Sequence, residues 1–508
     1  MSVFPAYDAF AADYAAGRPG LVWTRMVADL ETPVSAFIKL ADGRPNAFLL
    51  ESVEGGTVRG RYSIIGFKPD LIWRCVDGRA EINRTARTAP HAFKPVPGQP
   101  LDTLRALAQE CRIDMPAELP PMAAGLFGFL GYDMVRYMER LPNKNVDPLG
   151  LPEAVMLRPT VICVFDRLAD SATLVTPVWP AEGVDAEGAY DLARERLGDA
   201  MADLERALPH QREGATTADT SPPPEANMPK ADFLAMVERC KEYIRAGDAF
   251  QIVPSQRFST PFTLPPLSLY RSLRRINPSP FLIHFDFGDY AIVGSSPEIL
   301  VRLRDGVVTI RPLAGTRRRG ETPEQDKALA EELLADPKER AEHLMLLDLA
   351  RNDVGRVAKI GSVKVREQFT IEKYSRVQHI SSHVEGDIKD GLDAIDALAA
   401  GFPAGTLSGA PKVRAMEIIE ELEPVRRGIY GGCAGYIAAN GTMDTCIGLR
   451  TALVKDGVMY AQAGAGVVAD SDPESEYMET VHKARALVDA AEEAVRFATT
   501  RRSGNLPG

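Results

Sequence analysis

Strand-like segments and capped, amphipathic helices alternate on both sides of one proline-rich break. That interleaving confines the chain to layered α/β or α+β folds and argues against an all-helical bundle. Residues 47–50, 62–66, 71–76 and 160–165 have the content of strands, whereas 186–208 carries helical periodicity. Asp336-Pro337 followed by Glu339 combines an N-cap, a proline at the first helical position and an acid three residues after the cap, so a helix is expected to run to 355. Asp472-Pro473 repeats the signal and opens a helix to about 497. Segments 442–454 and 458–463 flank Lys455-Asp456-Gly457, a hairpin turn sequence. The break, with three consecutive prolines, separates an N-terminal region (1–211) from the rest of the chain through a linker or surface loop (212–229).

The 59 Lys plus Arg face 70 Asp plus Glu, and a net charge of -11 opposes a nucleic-acid or anionic-membrane role. The most apolar stretch, 123–131, falls short of the roughly 20 residues that span a bilayer. With neither a secretory nor a transit pattern at the N-terminus, a cytoplasmic protein is expected. Six cysteines without a C-x-x-C pair signal neither zinc nor a disulfide framework.

Candidate chemistry gathers in the second half. Glu476, Glu479 and Lys483 fall at helical spacings of three and four and share one face, and Glu342 sits early in the other capped helix. A hard cation such as magnesium takes one or two carboxylates plus substrate oxygens, although acids early in a helix also simply complement its dipole. Gly464 and Gly466 let a ligand approach an apolar strand, or merely permit close packing. The segment 405–412 (GTLSGAPK) lacks P-loop spacing, so nucleotide binding is disfavoured. Arg450, inside the strand expected over 442–454, requires either an acidic partner or an anionic substrate. A strand would place His379, Ser381 and His383 on one face, where a structural histidine is the ordinary outcome.

Taken in order, 311–320 (RPLAGTRRRG), 342–353 (EHLMLLDLARND), 405–412 and Gly464-Ala465-Gly466 with Glu476 and Glu479 closely resemble the chorismate-utilising enzymes, and the chain is similar to their anthranilate synthase component I branch almost end to end. The resemblance implies an α/β (α+β) body in which two antiparallel sheets pack between helices, with 230–490 as its catalytic region and 491–508 as a tail. It further implies Mg2+ on Glu342 and Glu479 with Glu476 nearby. Gly315, Thr406, Gly464, Gly466 and Lys483 are expected around the substrate, with Tyr430 and Arg450 on the enolpyruvyl carboxylate. Glu298 matches the general acid, His379 the group that moves the later proton, and Thr316 a further catalytic position. Aminodeoxychorismate synthases place a lysine where this chain has Ala314, and isochorismate or salicylate synthases one where it has Gln251; both differences favour direct addition of ammonia. Glu51 and Ser52, with Pro280, Phe281 and Leu282, match the segments of the family's tryptophan feedback site. No Cys-centred glutaminase segment is found, so ammonia is expected from a glutamine amidotransferase subunit in a hetero-oligomer. A non-catalytic tryptophan-binding regulator is the alternative of another class.

Overall fold

The structure, a computed structural model, describes residues 2–54, 58–208, 223–374 and 377–503. Two antiparallel sheets share one long, bent strand pair, Val58–Val76 with Ala154–Asp166. Sequence alternation divides the first of these strands into two segments, because Pro69 and a left-handed Lys68 (φ 53°) interrupt the pattern. The structure keeps it continuous across a register shift between Pro69 and Leu71, and there the pair passes from one sheet to the other. On one side of that bend the order runs Gly20–Val27, Ser171–Val178, the shared pair, Ala47–Glu54, Phe281–Asp286, Tyr290–Ser296, Thr451–Lys455, Val458–Gly464, Ser255–Pro261 and Glu225–Ala226. On the other it runs Lys94–Pro95, Arg79–Asn83, the shared pair, Gly125–Leu130, Cys433–Ala438, Met443–Ile447, Ile299–Arg304, Val307–Ile310 and Val377–Asp387, the last also bonded to Leu313–Arg318 and Lys364–Lys373.

Period-two burial builds the layers. Phe48 and Leu50 point between the sheets, where Phe48 stacks on Phe127 of the opposing sheet at 4.6 Å, while Leu49 points out to a helical layer. That outer layer uses Phe37, Ala193, Tyr270 and Leu487; Leu104, Leu347 and Leu398 cover the second sheet. The result is the α+β sandwich expected from sequence.

Main-chain hydrogen bonds cross the expected 212–229 boundary in both sheets: Ala47–Glu54 pairs with Phe281–Asp286, and Gly125–Leu130 with Cys433–Ala438. Of the expected linker, 212–222 lies outside the described residues, whereas Glu225–Ala226 forms a short strand and Met228 is buried. Of the expected tail, 504–508 also lies outside them, and 491–503 continues the helix Pro473–Ser503. All six cysteines are buried and unbridged. Among the described residues no helix is long and apolar enough to cross a membrane.

Candidate functional site

Glu298 follows Pro297 at the end of strand Tyr290–Ser296 and is 6% exposed. The Leu313 N–H and the Thr406 hydroxyl reach its two oxygens at 3.3 and 3.4 Å. Burial pushes its pKa up to about 8, only partly offset by these bonds and by Arg450. Glu298 therefore stays protonated at neutral pH, as a general acid must.

His379 lies on Val377–Asp387. Opposite it the strand Leu313–Arg318 bulges between Ala314 and Arg317, with Gly315 left-handed at φ 65°. The bulge turns Thr316 and the Gly315 carbonyl toward the imidazole, at 3.1 and 2.8 Å from Nδ1. A carbonyl only accepts, so Nδ1 carries the proton and Nε2 keeps a free lone pair. Nε2 is buried and has no partner among the described residues. Burial, with Arg450 adding to it, lowers the His379 pKa to about 4, which leaves a neutral base.

Arg450 departs from the sequence expectation. It lies in a break between Met443–Ile447 and Thr451–Lys455, at φ 48°, rather than inside one strand. The cause lies two residues earlier: a Cβ on Gly448 would come within 2.2 Å of the Ile429 carbonyl, a crossing too close for continuous pleating. Burial lowers the Arg450 pKa, while Tyr374 and Glu298 favour its charged form. No hydrogen bond or ion pair holds its guanidinium among the described residues. An unpaired cation in such a place suits an incoming carboxylate.

Glycine is required at 464, where backbone is in the way, whereas at 466 a larger residue would displace the end of the Gln251 side chain. A Cβ would lie 2.7 Å from both the Pro254 carbonyl and the Tyr430 hydroxyl at the first, and 2.7 Å from Gln251 Nε2 at the second. Tyr430 is buried beside Gly464, and burial raises its pKa. Lys483 donates to the Gly464 carbonyl at 3.0 Å and pairs with Glu479 at 2.7 Å.

The carboxylates on the two capped helices repel one another. Burial raises the Glu342 pKa, and Glu339 and Glu479 raise it further; burial and then Glu479 do the same to Glu476. Gln251 Nε2 donates to Glu342 Oε1 at 3.3 Å, and Ser471 to Glu476 at 2.6 Å. Among the described residues no three His, Cys, Asp or Glu side chains form a ready metal cage. The oxygen donors and their mutual repulsion nevertheless fit Mg2+, which keeps waters and shares substrate oxygens.

The two segments expected to bind an inhibitor are paired, Glu51 opposite Leu282 and Ser52 opposite Phe281. With Pro280 they line a cavity of about 780 Å³ that extends to Leu313, which bonds Glu298, and to Tyr374, which packs on His379. Glu51 is already engaged. Burial would raise its pKa, but a fork from Arg274 (2.6 and 2.9 Å) and the Tyr270 hydroxyl (2.6 Å) outweigh burial and hold it below the usual range. Sequence reading missed both partners, although Tyr270 and Arg274 are four apart on the amphipathic helix Pro266–Ile276.

A profile described as chorismate binding enzyme matches residues 49–489. Anthranilate synthase component 1 of Cereibacter sphaeroides is 59% identical over 98% of this chain and 99% of the relative, and that of Pseudomonas aeruginosa 47% over 91% and 94%. The crystal structure of anthranilate synthase component I from Streptococcus pneumoniae superposes with a TM-score of 0.74 at 35% identity, covering 91% of this chain and 99% of that one. The chain therefore belongs to the chorismate binding enzymes, among the anthranilate synthase component 1 proteins.

Proposed function

We propose that this protein is the aminase component of an anthranilate synthase, converting chorismate and ammonia to anthranilate and pyruvate in tryptophan biosynthesis. The observation that carries the mechanism is Glu298, a buried carboxyl whose pKa of about 8 keeps it protonated. Arg450 and Tyr430 hold the enolpyruvyl carboxylate, while the backbone at Gly464 and Gly466, with Thr406, receives the ring carboxylate. Mg2+, when bound at Glu342 and Glu479 with Glu476 close by, neutralises that ring carboxylate. Glu298 gives its proton to the departing ring hydroxyl as ammonia adds. Ala314 offers no amine that could form a covalent adduct, and Gln251, bonded to Glu342, no base to activate water. His379 Nε2 then takes the ring proton as pyruvate leaves, steadied at Nδ1 by Gly315 and Thr316. Ammonia comes from a glutamine amidotransferase partner in a cytoplasmic hetero-oligomer. L-Tryptophan binds in the cavity lined by Glu51, Ser52 and Pro280 to Leu282, where its ammonium has to compete with Arg274 for Glu51.

Chorismate, an ammonium salt and Mg2+ should yield fluorescent anthranilate with the purified chain. Isochorismate, salicylate or aminodeoxychorismate in its place would reject the reading, and tryptophan binding without turnover would indicate a regulator. Glu479→Gln should raise the Mg2+ concentration for half-maximal activity by about tenfold, since one ligand charge is lost. Coincident Mg2+ titrations of variant and parent would show that Glu479 does not hold the ion.

A further inference from the structure

In the strand pair Lys364–Lys373 with Val377–Asp387, Glu372 lies opposite His379, and the Tyr374 N–H bonds the Val377 carbonyl at 2.8 Å. Period two then sets Glu372, Tyr374 and His379 on one face. The Tyr374 ring meets the His379 imidazole edge-on, with centroids 5.5 Å apart at 61°. Its hydroxyl donates to Glu372 Oε2 at 2.9 Å, and Glu372 Oε1 pairs with Arg311 at 2.5 Å. Packing alone would need only a phenylalanine here. A nearly buried phenol tied to a carboxylate that is itself tied to an arginine fixes the ring in one orientation.

His379 needs such a constraint. Its polar contacts among the described residues are both at Nδ1, so the direction of the unpartnered Nε2 depends on what packs along the ring. We propose that Tyr374, anchored by Glu372 and Arg311, is a positioning residue that aims His379 Nε2 at the ring proton in the pyruvate-releasing step. This rests on the proposed function and on the role given there to His379. In that step the C–H bond at the amino-bearing ring carbon breaks as Nε2–H forms, its electron pair completes the aromatic ring, and the C–O bond to the enolpyruvyl group breaks. Water protonates the departing enolate to pyruvate, and His379 returns its proton to the hydroxide so formed. Ammonia addition, which uses Glu298, precedes this step and does not require the aim of His379.

The test compares parent, His379→Ala, Tyr374→Phe and Tyr374→Ala proteins with chorismate, ammonium and Mg2+. Chromatography separates anthranilate from the aminated ring that still carries its enolpyruvyl group. Tyr374→Ala should lower kcat for anthranilate about ten- to a hundredfold, the scale of a misaimed catalytic group. Its KM for chorismate should be unchanged, and it should release the aminated intermediate as His379→Ala does. Tyr374→Phe, which keeps the ring and loses the Glu372 bond, should release less than Tyr374→Ala and more than the parent, and it decides the matter if the alanine variant does not fold. Anthranilate from the parent, intermediate from His379→Ala and none from either Tyr374 variant would overturn this proposal alone. No intermediate from His379→Ala would overturn it together with the role of His379, and no anthranilate from the parent would overturn the proposed function as well.

Discussion

Glu298→Gln should lower the rate of anthranilate formation by about 10²- to 10⁴-fold, the range attributed to a positioned acid or base, while leaving the fold at least as stable as the parent. The amide is nearly isosteric and its oxygen still accepts from Leu313 N–H; the Thr406 hydroxyl can rotate to accept from the new NH2. The stability effect follows from the raised pKa. The unfolded carboxyl loses its proton near its ordinary value of 4.5, and the folded one only near 8. Between those values the native state binds more protons, so stability falls as pH rises through the window and levels off above it. At pH 7 the cost is roughly 3 kcal/mol, and the glutamine variant removes it. Denaturant unfolding from pH 5 to 9 should thus show a shallower fall for the variant. At a constant concentration of free ammonia, parent activity should decline as pH passes about 8, where the acid form is lost. A variant that keeps full activity, or a parent rate that climbs smoothly through pH 8, would remove Glu298 from the reaction.

Arg450→Met is expected to raise KM for chorismate on the order of a hundredfold, since losing one partner of a desolvated charge pair costs about 2–5 kcal/mol. Thermal stability should hold or rise. The free protein gives this guanidinium no acidic partner among the described residues and pays for its desolvation, and methionine at φ 48° is no more strained than arginine. Steady-state kinetics and a melting curve read both effects. An unchanged KM with lowered stability would mean that Arg450 is structural.

The features legible in the sequence were those set by local chemistry. Asp336 caps its helix through Lys338 N–H at 2.9 Å and Glu339 N–H at 3.3 Å, and the helix runs Pro337–Val357 against an expected end at 355. The hairpin at 455–457 closes with Lys455 opposite Val458 through left-handed Asp456 and Gly457. The motif order singled out the carboxylates, the glycines and the candidate catalytic positions. Hidden features depend on tertiary approach. Arg450 reads as a strand residue because the crossing of Gly448 with the Ile429 carbonyl belongs to a distant segment. Glu51 reads as free because Arg274 reaches it from a helix far along the chain. The burial that raises the Glu298 pKa comes from segments around Leu313, Thr406 and Ile447, and nothing near position 298 announces it. Tyr374 has only a faint signal, a Glu-x-Tyr alternation whose significance depends on the strand opposite.

The most direct measurement supplies the purified chain with chorismate, Mg2+ and nitrogen-labelled ammonium, and follows the nitrogen and the three-carbon fragment together. Anthranilate carrying the label and pyruvate in equal amounts is the expected result. Unlabelled isochorismate, or a labelled ring that retains its enolpyruvyl group as the final product, would contradict it.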